Sequence, residues 1–189
     1  MENTTNRNLV FAQNQQIETE RLLLRPVVLT DAADMYEYAN DEETTRFVFP
    51  QHQNFEETEY SIANYFMNAP LGKYAIELKE TGKMIGTIDL RIEESTDIAE
   101  IGYVLNKKYW GKGLVAEAGQ SMLTLGFTKL DLVRIFAYHD LNNPNSGRVM
   151  EKLHMKKEGI IPDARRWKGE VVSVVMRGIT QKEWQEIYQ

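Results

Sequence analysis

The chain reads as one mixed α/β domain, with antiparallel strands first and a parallel strand–helix–strand unit later. Three observations predict this class. Tyr74–Glu80 and Met84–Arg91 flank the turn Thr81-Gly82, so two apolar-alternating runs meet at a hairpin. The strand-like run Ile98–Leu105 leads through Gly111-Lys112-Gly113 into a helical apolar pattern from Leu114. A chain of 189 residues is enough for one core and short for two.

The elements follow in order. Residues 1–16 read as a loose polar leader ahead of a domain over 17–189. Arg21–Val28 predicts a strand, with Pro26 near its end where a ladder donor can be spared. Thr30 or Asp31 caps a helix over Ala32–Asn40. Asp41–Gln53 reads as irregular, and a second helix covers Phe55–Met67 before Pro70. After the hairpin and Ile98–Leu105, the helix from Leu114 to about Lys129 carries two apolar stripes and is broadly buried. Gly119 and Gly126 inside it each cost about 1 kcal/mol against Ala, which implies close packing there. Leu132–His139 predicts a strand. Asn143 caps a helix running to about His154, with Pro144 at its first position. Val171–Ile179 is a strand, in a final group of one or two, and Lys182–Tyr188 a terminal helix.

Composition narrows the function. The chain has no Cys and three scattered His, so neither a thiolate nucleophile nor a metal site is expected. The absence of Cys, a start without an apolar signal and the lack of any span-length apolar run suit a cytoplasmic protein off the membrane. A net charge of −6 argues against nucleic acid as partner and is compatible with a cationic substrate, such as an amine or a basic peptide. No pattern reports oligomeric state; a monomer and a homodimer are both compatible.

The run Asn106–Glu117, NKKYWGKGLVAE, carries the chemistry. Gly111 and Gly113 at a helix mouth let backbone approach a ligand closely. The first helical N–H groups are free and lie at the positive end of the helix dipole, so the arrangement is a phosphate cradle. A Walker loop fails because Leu114 follows Gly113 where Lys is required. Gly111, Gly113 and Ala116 fit G-x-G-x-x-G/A, but after several strands rather than the first, so a dinucleotide module is the weaker alternative.

Four segments stand in a fixed order: Glu18–Pro26 (ETERLLLRP), Glu100–Leu105 (EIGYVL), Lys108–Gly113 with Leu114–Ala118, and Asn143–Leu153 (NPNSGRVMEKL). Together they resemble the GNAT superfamily of acetyl-CoA-dependent N-acetyltransferases, and within it the RimJ/RimL type that acetylates ribosomal-protein N-termini. The resemblance spans about residues 17 to 180. It implies a GNAT fold with a central mixed sheet of about seven strands flanked by helices, its splayed middle strands holding acetyl-CoA. The backbone of Tyr103, Val104 and Leu105 would meet the pantetheine arm as an added strand does. Lys108, Tyr109, Trp110, Gly111, Lys112, Gly113 and Leu114 would hold the pyrophosphate. Asn143 and Ser146 would contact the cofactor, cap the next helix, or both. Three departures stand out: Lys108 replaces the usual Arg or Gln, Leu153-His154-Met155 replaces Leu-Gly-Phe, and Met150 stands where a related branch has a tyrosine acid. His154 must then supply the left-handed helix stop that Gly normally provides.

The implied reaction is direct acetyl transfer to a primary amine, with no covalent enzyme intermediate and no metal. Glu100 is the candidate base, directly or through water. N–H groups near Val104 would stabilise the oxyanion. A thiolate is a tolerable leaving group, so an acid helps modestly; Ser146 is the candidate and Tyr103 the reserve. His139, at a strand end beside the site, is a further acid/base candidate or a plain polar residue. The acceptor pocket is expected from the two early helices and Asp41–Gln53, where Phe47, Phe49 and Tyr65 suit the core better than the pocket wall. The resemblance favours a protein N-terminus as acceptor. A small amine (amino acid, polyamine or aminoglycoside) and a non-catalytic acyl-CoA-binding regulator are the alternatives.

Overall fold

Alternating apolar residues assemble into one eight-stranded sheet with helices on both faces, as the computed structural model of residues 5–188 describes. The elements are α1 (Arg7–Gln13), β1 (Ile17–Glu18), β2 (Leu22–Arg25), α2 (Ala32–Ala39), α3 (Glu42–Thr45), α4 (Phe55–Ser61), β3 (Lys73–Leu78), β4 (Lys83–Glu93), β5 (Ile98–Leu105), α5 (Leu114–Thr128), β6 (Arg134–Asp140), α6 (Pro144–Lys152), β7 (Lys156–Trp167), β8 (Glu170–Thr180) and α7 (Gln181–Tyr188). None of these helices is long and apolar enough to cross a membrane. The strand order is β1-β2-β3-β4-β5-β6-β8-β7. Every pairing is antiparallel except β5 with β6.

That exception makes the site. The parallel ladder covers Ile98↔Arg134, Ala99↔Ile135 and Glu100↔Phe136, and stops there. Beyond it β5 stays on β4 as far as Leu105, and β6 stays on β8 as far as Asp140. The two halves of the sheet therefore separate after Glu100, as the splay expected of the middle strands requires.

The larger core lies on the face covered by α1, α5 and α7, with Phe11, Leu22, Ile101, Met122 and Trp184 buried in it. The smaller core lies on the α2–α4 face, around Met35, Tyr38, Ile62, Met84 and Val104. Close packing explains the two glycines within α5. A Cβ on Gly126 would stand 2.6 Å from Ile135 Cδ1 of β6, and one on Gly119 would stand 2.7 Å from Leu153 Cδ1.

Four local departures from the sequence reading have physical causes. Part of the stretch expected as a loose leader is ordered: α1 is capped by Asn6, buries Phe11, and anchors Arg7 to the Leu130 carbonyl, Glu94 and Asp97; residues 1–4 of that stretch lie outside the described residues. Asp41 accepts from Thr44 N–H at 2.8 Å and turns part of the expected irregular segment into α3. The second early helix widens to a π-helical turn over Ile62–Met67, a change of pitch common at functional sites. β7 is an edge strand of polar, exposed residues with two register shifts, so it lacks the alternation that marks a strand. The unusual helix stop holds: His154 sits at φ 58 while Met155 N–H closes on the Met150 carbonyl.

Candidate active site

The cradle forms where β5 hands over to α5. Gly111 and Gly113 adopt φ values of 78 and 76, a region L side chains enter at a cost of about 1–2 kcal/mol. A Cβ on Gly111 would meet nothing within 4 Å, and one on Gly113 only Arg21 Nη2 at 3.8 Å, so the loop faces open space. Gly113 is the N-cap of the 15-residue α5, and its carbonyl accepts from Glu117 N–H; the N–H groups of Leu114, Val115 and Ala116 precede any intrahelical partner.

Glu117 locks this turn to the start of β2. Its carboxylate accepts from Thr19 Oγ1 at 2.6 Å, Arg21 N at 2.8 Å and Arg21 Nε at 2.7 Å. Burial opposes its charge, but those hydrogen bonds win and hold it below the usual carboxylate range. Arg21 also donates to the Lys112 carbonyl at 3.0 Å, which puts its guanidinium beside the glycines. Lys108 behaves otherwise: its ammonium pairs with Glu37 of α2 at 2.6 Å. The cation at the cradle is thus Arg21, with Lys112 stacked 5.3 Å from the Tyr109 ring.

Strand alternation decides which backbone groups face the gap. Asn106 N–H bonds to the Ile85 carbonyl at 2.8 Å, and Gly86 stands opposite Leu105. Hydrogen-bonded positions alternate along an antiparallel pair. The groups of Val104 and Gly102 therefore point at β4, while those of Ile101, Tyr103 and Leu105 point at the gap. The donors that face the gap next to Val104 are those of its neighbours Tyr103 and Leu105. The Leu105 carbonyl is taken by the Trp110 indole at 2.7 Å, which pins Trp110 to the strand end.

A cleft of about 490 Å³ runs through the gap and is lined by residues from both faces of β5. On the α2–α4 face stands Glu100, paired with Arg91 Nη2 at 2.8 Å. Arg91 also pairs with Asp89, and Asp89 accepts from Tyr65 Oη at 2.9 Å. Burial, and then the Asp89 charge, push the Tyr65 phenol up to about 12. The cluster needs Gly102 beneath it: a Cβ there would lie 2.7 Å from both Arg91 Nη1 and Asp89 Oδ1. Phe47, Phe49 and Tyr65 all line this cleft; Phe49 also packs against the smaller core, as expected, and Phe47 and Tyr65 do not.

On the other face the Tyr103 hydroxyl lies 2.9 Å from the Ser146 carbonyl and 3.0 Å from Ser146 Oγ. Burial pushes the Tyr103 phenol well up, so it stays protonated. Asn143 caps α6 by accepting from Ser146 N–H at 3.3 Å. His139 is buried in the cleft wall: its Nδ1 lies 2.9 Å from the Asp140 carbonyl, so it carries the proton, and Nε2 has no partner. A Cβ on Gly147 would stand 3.0 Å from that Nε2, so α6 packs directly on the ring.

A glycine cradle at a helix mouth, and a strand edge exposed by splay, match the pyrophosphate and the amide-bearing arm of acetyl-CoA in chemistry. Residues 21–156 match the acetyltransferase (GNAT) domain family. The uncharacterized N-acetyltransferase p20 of Bacillus licheniformis is 32% identical over 175 residues, covering 90% of this chain and 98% of that protein. A crystal structure of a GNAT-family acetyltransferase from Bacillus anthracis has a TM-score of 0.82 at 28% identity, covering 89% of this chain and 99% of the other. RimL, a ribosomal L7/L12 alpha-N-protein acetyltransferase in complex with coenzyme A, shares the fold with a TM-score of 0.78 at 21% identity, over 89% of this chain and 99% of its own. The chain belongs to the GNAT family of N-acetyltransferases and is an acyltransferase that uses acetyl-CoA and an amine acceptor.

Sequence reasoning missed Arg21, Glu117, Asp89 and Arg91. Arg21 lies within the quoted opening segment, and Glu117 within the cradle run, but nothing in either marks the other as its partner. Arg91 and Glu100 become neighbours through the β4–β5 register, which the hairpin turn alone does not fix.

Proposed function

We propose that the chain acetylates the α-amino group of a protein N-terminus. The observation that carries this reading is the cleft divided by β5, with a carboxylate on the α2–α4 face and a phenol–hydroxyl pair on the α6 face. When bound, acetyl-CoA supplies an acetyl thioester. Gly111–Leu114 would hold its pyrophosphate, and the gap-facing groups of Tyr103 and Leu105 its amide-bearing arm, with Asn143 beside them.

The amine enters from the α2–α4 face. Glu100 takes its proton directly or through water; an α-amino group with a pKa near roughly 8 needs only a mild base. The N–H of Tyr103 stabilises the oxyanion, which leaves the N–H of Leu105 to the arm. Tyr103, protonated and held by Ser146, donates toward the departing thiolate, with Ser146 Oγ as the neighbouring relay.

Relatives' names divide on the acceptor. YdaF of Bacillus subtilis, 29% identical over 105 residues, is named as a candidate ribosomal N-acetyltransferase. The Escherichia coli spermidine N(1)-acetyltransferase, 24% identical over 138 residues, favours a small-amine reading. A thiol-release screen of N-terminal peptides and small amines decides between them. The α-amine reading requires peptides to be turned over with higher kcat/KM than spermidine or free amino acids, and the reverse order would overturn it.

A further inference from the structure

We infer that the acceptor is an N-terminal segment with acidic residues a few positions past its α-amine, received by a cationic rim that the β7–β8 hairpin and α3 build over the cleft mouth. The inference rests on the α-amine reading above.

The rim is a consequence of a bend. β7 and β8 pair at Ile161↔Val174 and again at Arg165↔Val172, which leaves Pro162, Asp163 and Ala164 as a bulge opposite Ser173. Asp163 N–H donates to Ser173 Oγ at 3.1 Å and fixes the bulge. Bulges bend and twist a strand and re-aim its side chains. Here the hairpin tip arrives at the end of α3. Trp167 Nε1 donates to the Arg46 carbonyl at 2.9 Å, and Lys168 Nζ to the Thr45 carbonyl at 3.4 Å.

These contacts set Arg165 in the cleft wall with Phe47 and Val48. Its guanidinium lies 5.0 Å from the Trp167 ring centre, and that of Arg46 lies 5.1 Å from the Phe47 ring centre. Arg166 donates to the Gly169 carbonyl at the hairpin turn. Arg46, Arg165, Arg166 and Lys168 are all exposed, and among the described residues none forms an ion pair. Of the hairpin's three carboxylates, Glu158 pairs with Arg134, and Asp163 and Glu170 form no ion pair among the described residues. On α3, Glu42 is exposed and forms no ion pair among the described residues, and Glu43 shares Lys107 with Asp41.

In a chain of net charge −6 these four unpaired cations stand against three unpaired carboxylates on the same segments, Glu42, Asp163 and Glu170, and Arg165 is the one of them set in the cleft wall. Deeper in the cleft, Asp89, Arg91 and Glu100 leave one negative charge to receive an ammonium. The cleft thus has an anionic floor and a cationic rim. A polyamine, cationic at both ends, meets like charge at the rim. A peptide with an α-ammonium and acidic side chains beyond it meets opposite charge at both. The overall acidity, which is compatible with a cationic acceptor, does not describe the mouth of the site.

The test uses peptides that share their first two residues and differ at the following positions, acidic, neutral or basic. Thiol release is followed at roughly 50 mM and roughly 500 mM salt. At low salt kcat/KM should fall in the order acidic, neutral, basic, by about tenfold or more end to end, and the spread should shrink at high salt. Arg165→Glu combined with Arg166→Glu should reverse the order with acetyl-CoA affinity unchanged. Should that pair fail to fold, Arg165→Gln alone should narrow the spread. Peptides acetylated without regard to charge would overturn the rim and leave the α-amine reading standing. Turnover of spermidine with no peptide acetylated would overturn the reading beneath it.

Discussion

Replacing Gly113 by Ala and by Glu separates what the cradle does by shape from what it does by charge. Both substitutions force a side chain into φ 76, at about 1–2 kcal/mol. Both should therefore lower Tm alike, by roughly 2–4 °C per kcal/mol for a chain of this size. Space is not the issue, because a Cβ would meet only Arg21 Nη2 at 3.8 Å. The variants differ in the carboxylate. With roughly 6 Å between it and each phosphate, and an effective dielectric of about 40 at this exposed loop, the repulsion is about 1.4 kcal/mol per charge. Two phosphates make that about 3 kcal/mol, or roughly a hundredfold in Kd. Calorimetry with acetyl-CoA at low salt should show a modest loss for Gly113→Ala and about a hundredfold further loss for Gly113→Glu, with part of that difference recovered at high salt. Equal affinities for the two variants, with both folded, would refute the phosphate assignment.

Glu100→Gln should lower kcat by about 10²–10⁴ and leave acetyl-CoA affinity intact; an unchanged rate across pH would remove Glu100 from the mechanism. Gly102→Ala should raise the acceptor's KM several-fold at constant acetyl-CoA Kd, because its Cβ would displace Arg91 and Asp89, which lie 2.7 Å away; an unaltered KM would show that the cluster does not shape the acceptor site. Hydrogen bonds from Lys108 first, then Lys83, pull the Glu37 carboxyl down to about 2 from its usual 4.5. A depressed carboxylate contributes its stability above its unfolded pKa and loses it as pH falls through the folded one. Glu37 should therefore contribute about 1–2 kcal/mol at neutral pH, after discounting for its partial exposure, and lose it between about pH 4.5 and 2. Acid unfolding of Glu37→Gln should start from lower stability and fall less steeply over that window, and an identical acid profile would contradict this.

Features whose signals are local in sequence were legible. The hairpin carried its own turn, the cradle lay within a few residues of its strand and helix, and the position of His154 after α6 identified it as the left-handed stop observed at φ 58. Features assembled by register or by long-range contact were not. β7 is polar and exposed, so no hydrophobic period announced it. The Asp89–Arg91–Glu100 cluster depends on how β4 and β5 align. Trp167 and Arg46 meet across a separation of 121 residues. Lys108 read as a phosphate cation because it lies in the cradle, and it was lost to Glu37 because α2 packs beside the end of β5. Arg21, which replaces it, comes from the far end of the same sheet half through its bond to Glu117.

Tandem mass spectrometry on a peptide bearing both a free α-amine and an internal lysine tests the central claim most directly. After incubation with enzyme and acetyl-CoA, the added acetyl group should be found on the α-nitrogen, with the lysine Nζ unmodified at comparable conversion. Acetylation of the lysine in preference to the α-amine, or of neither while spermidine is consumed, would contradict the account.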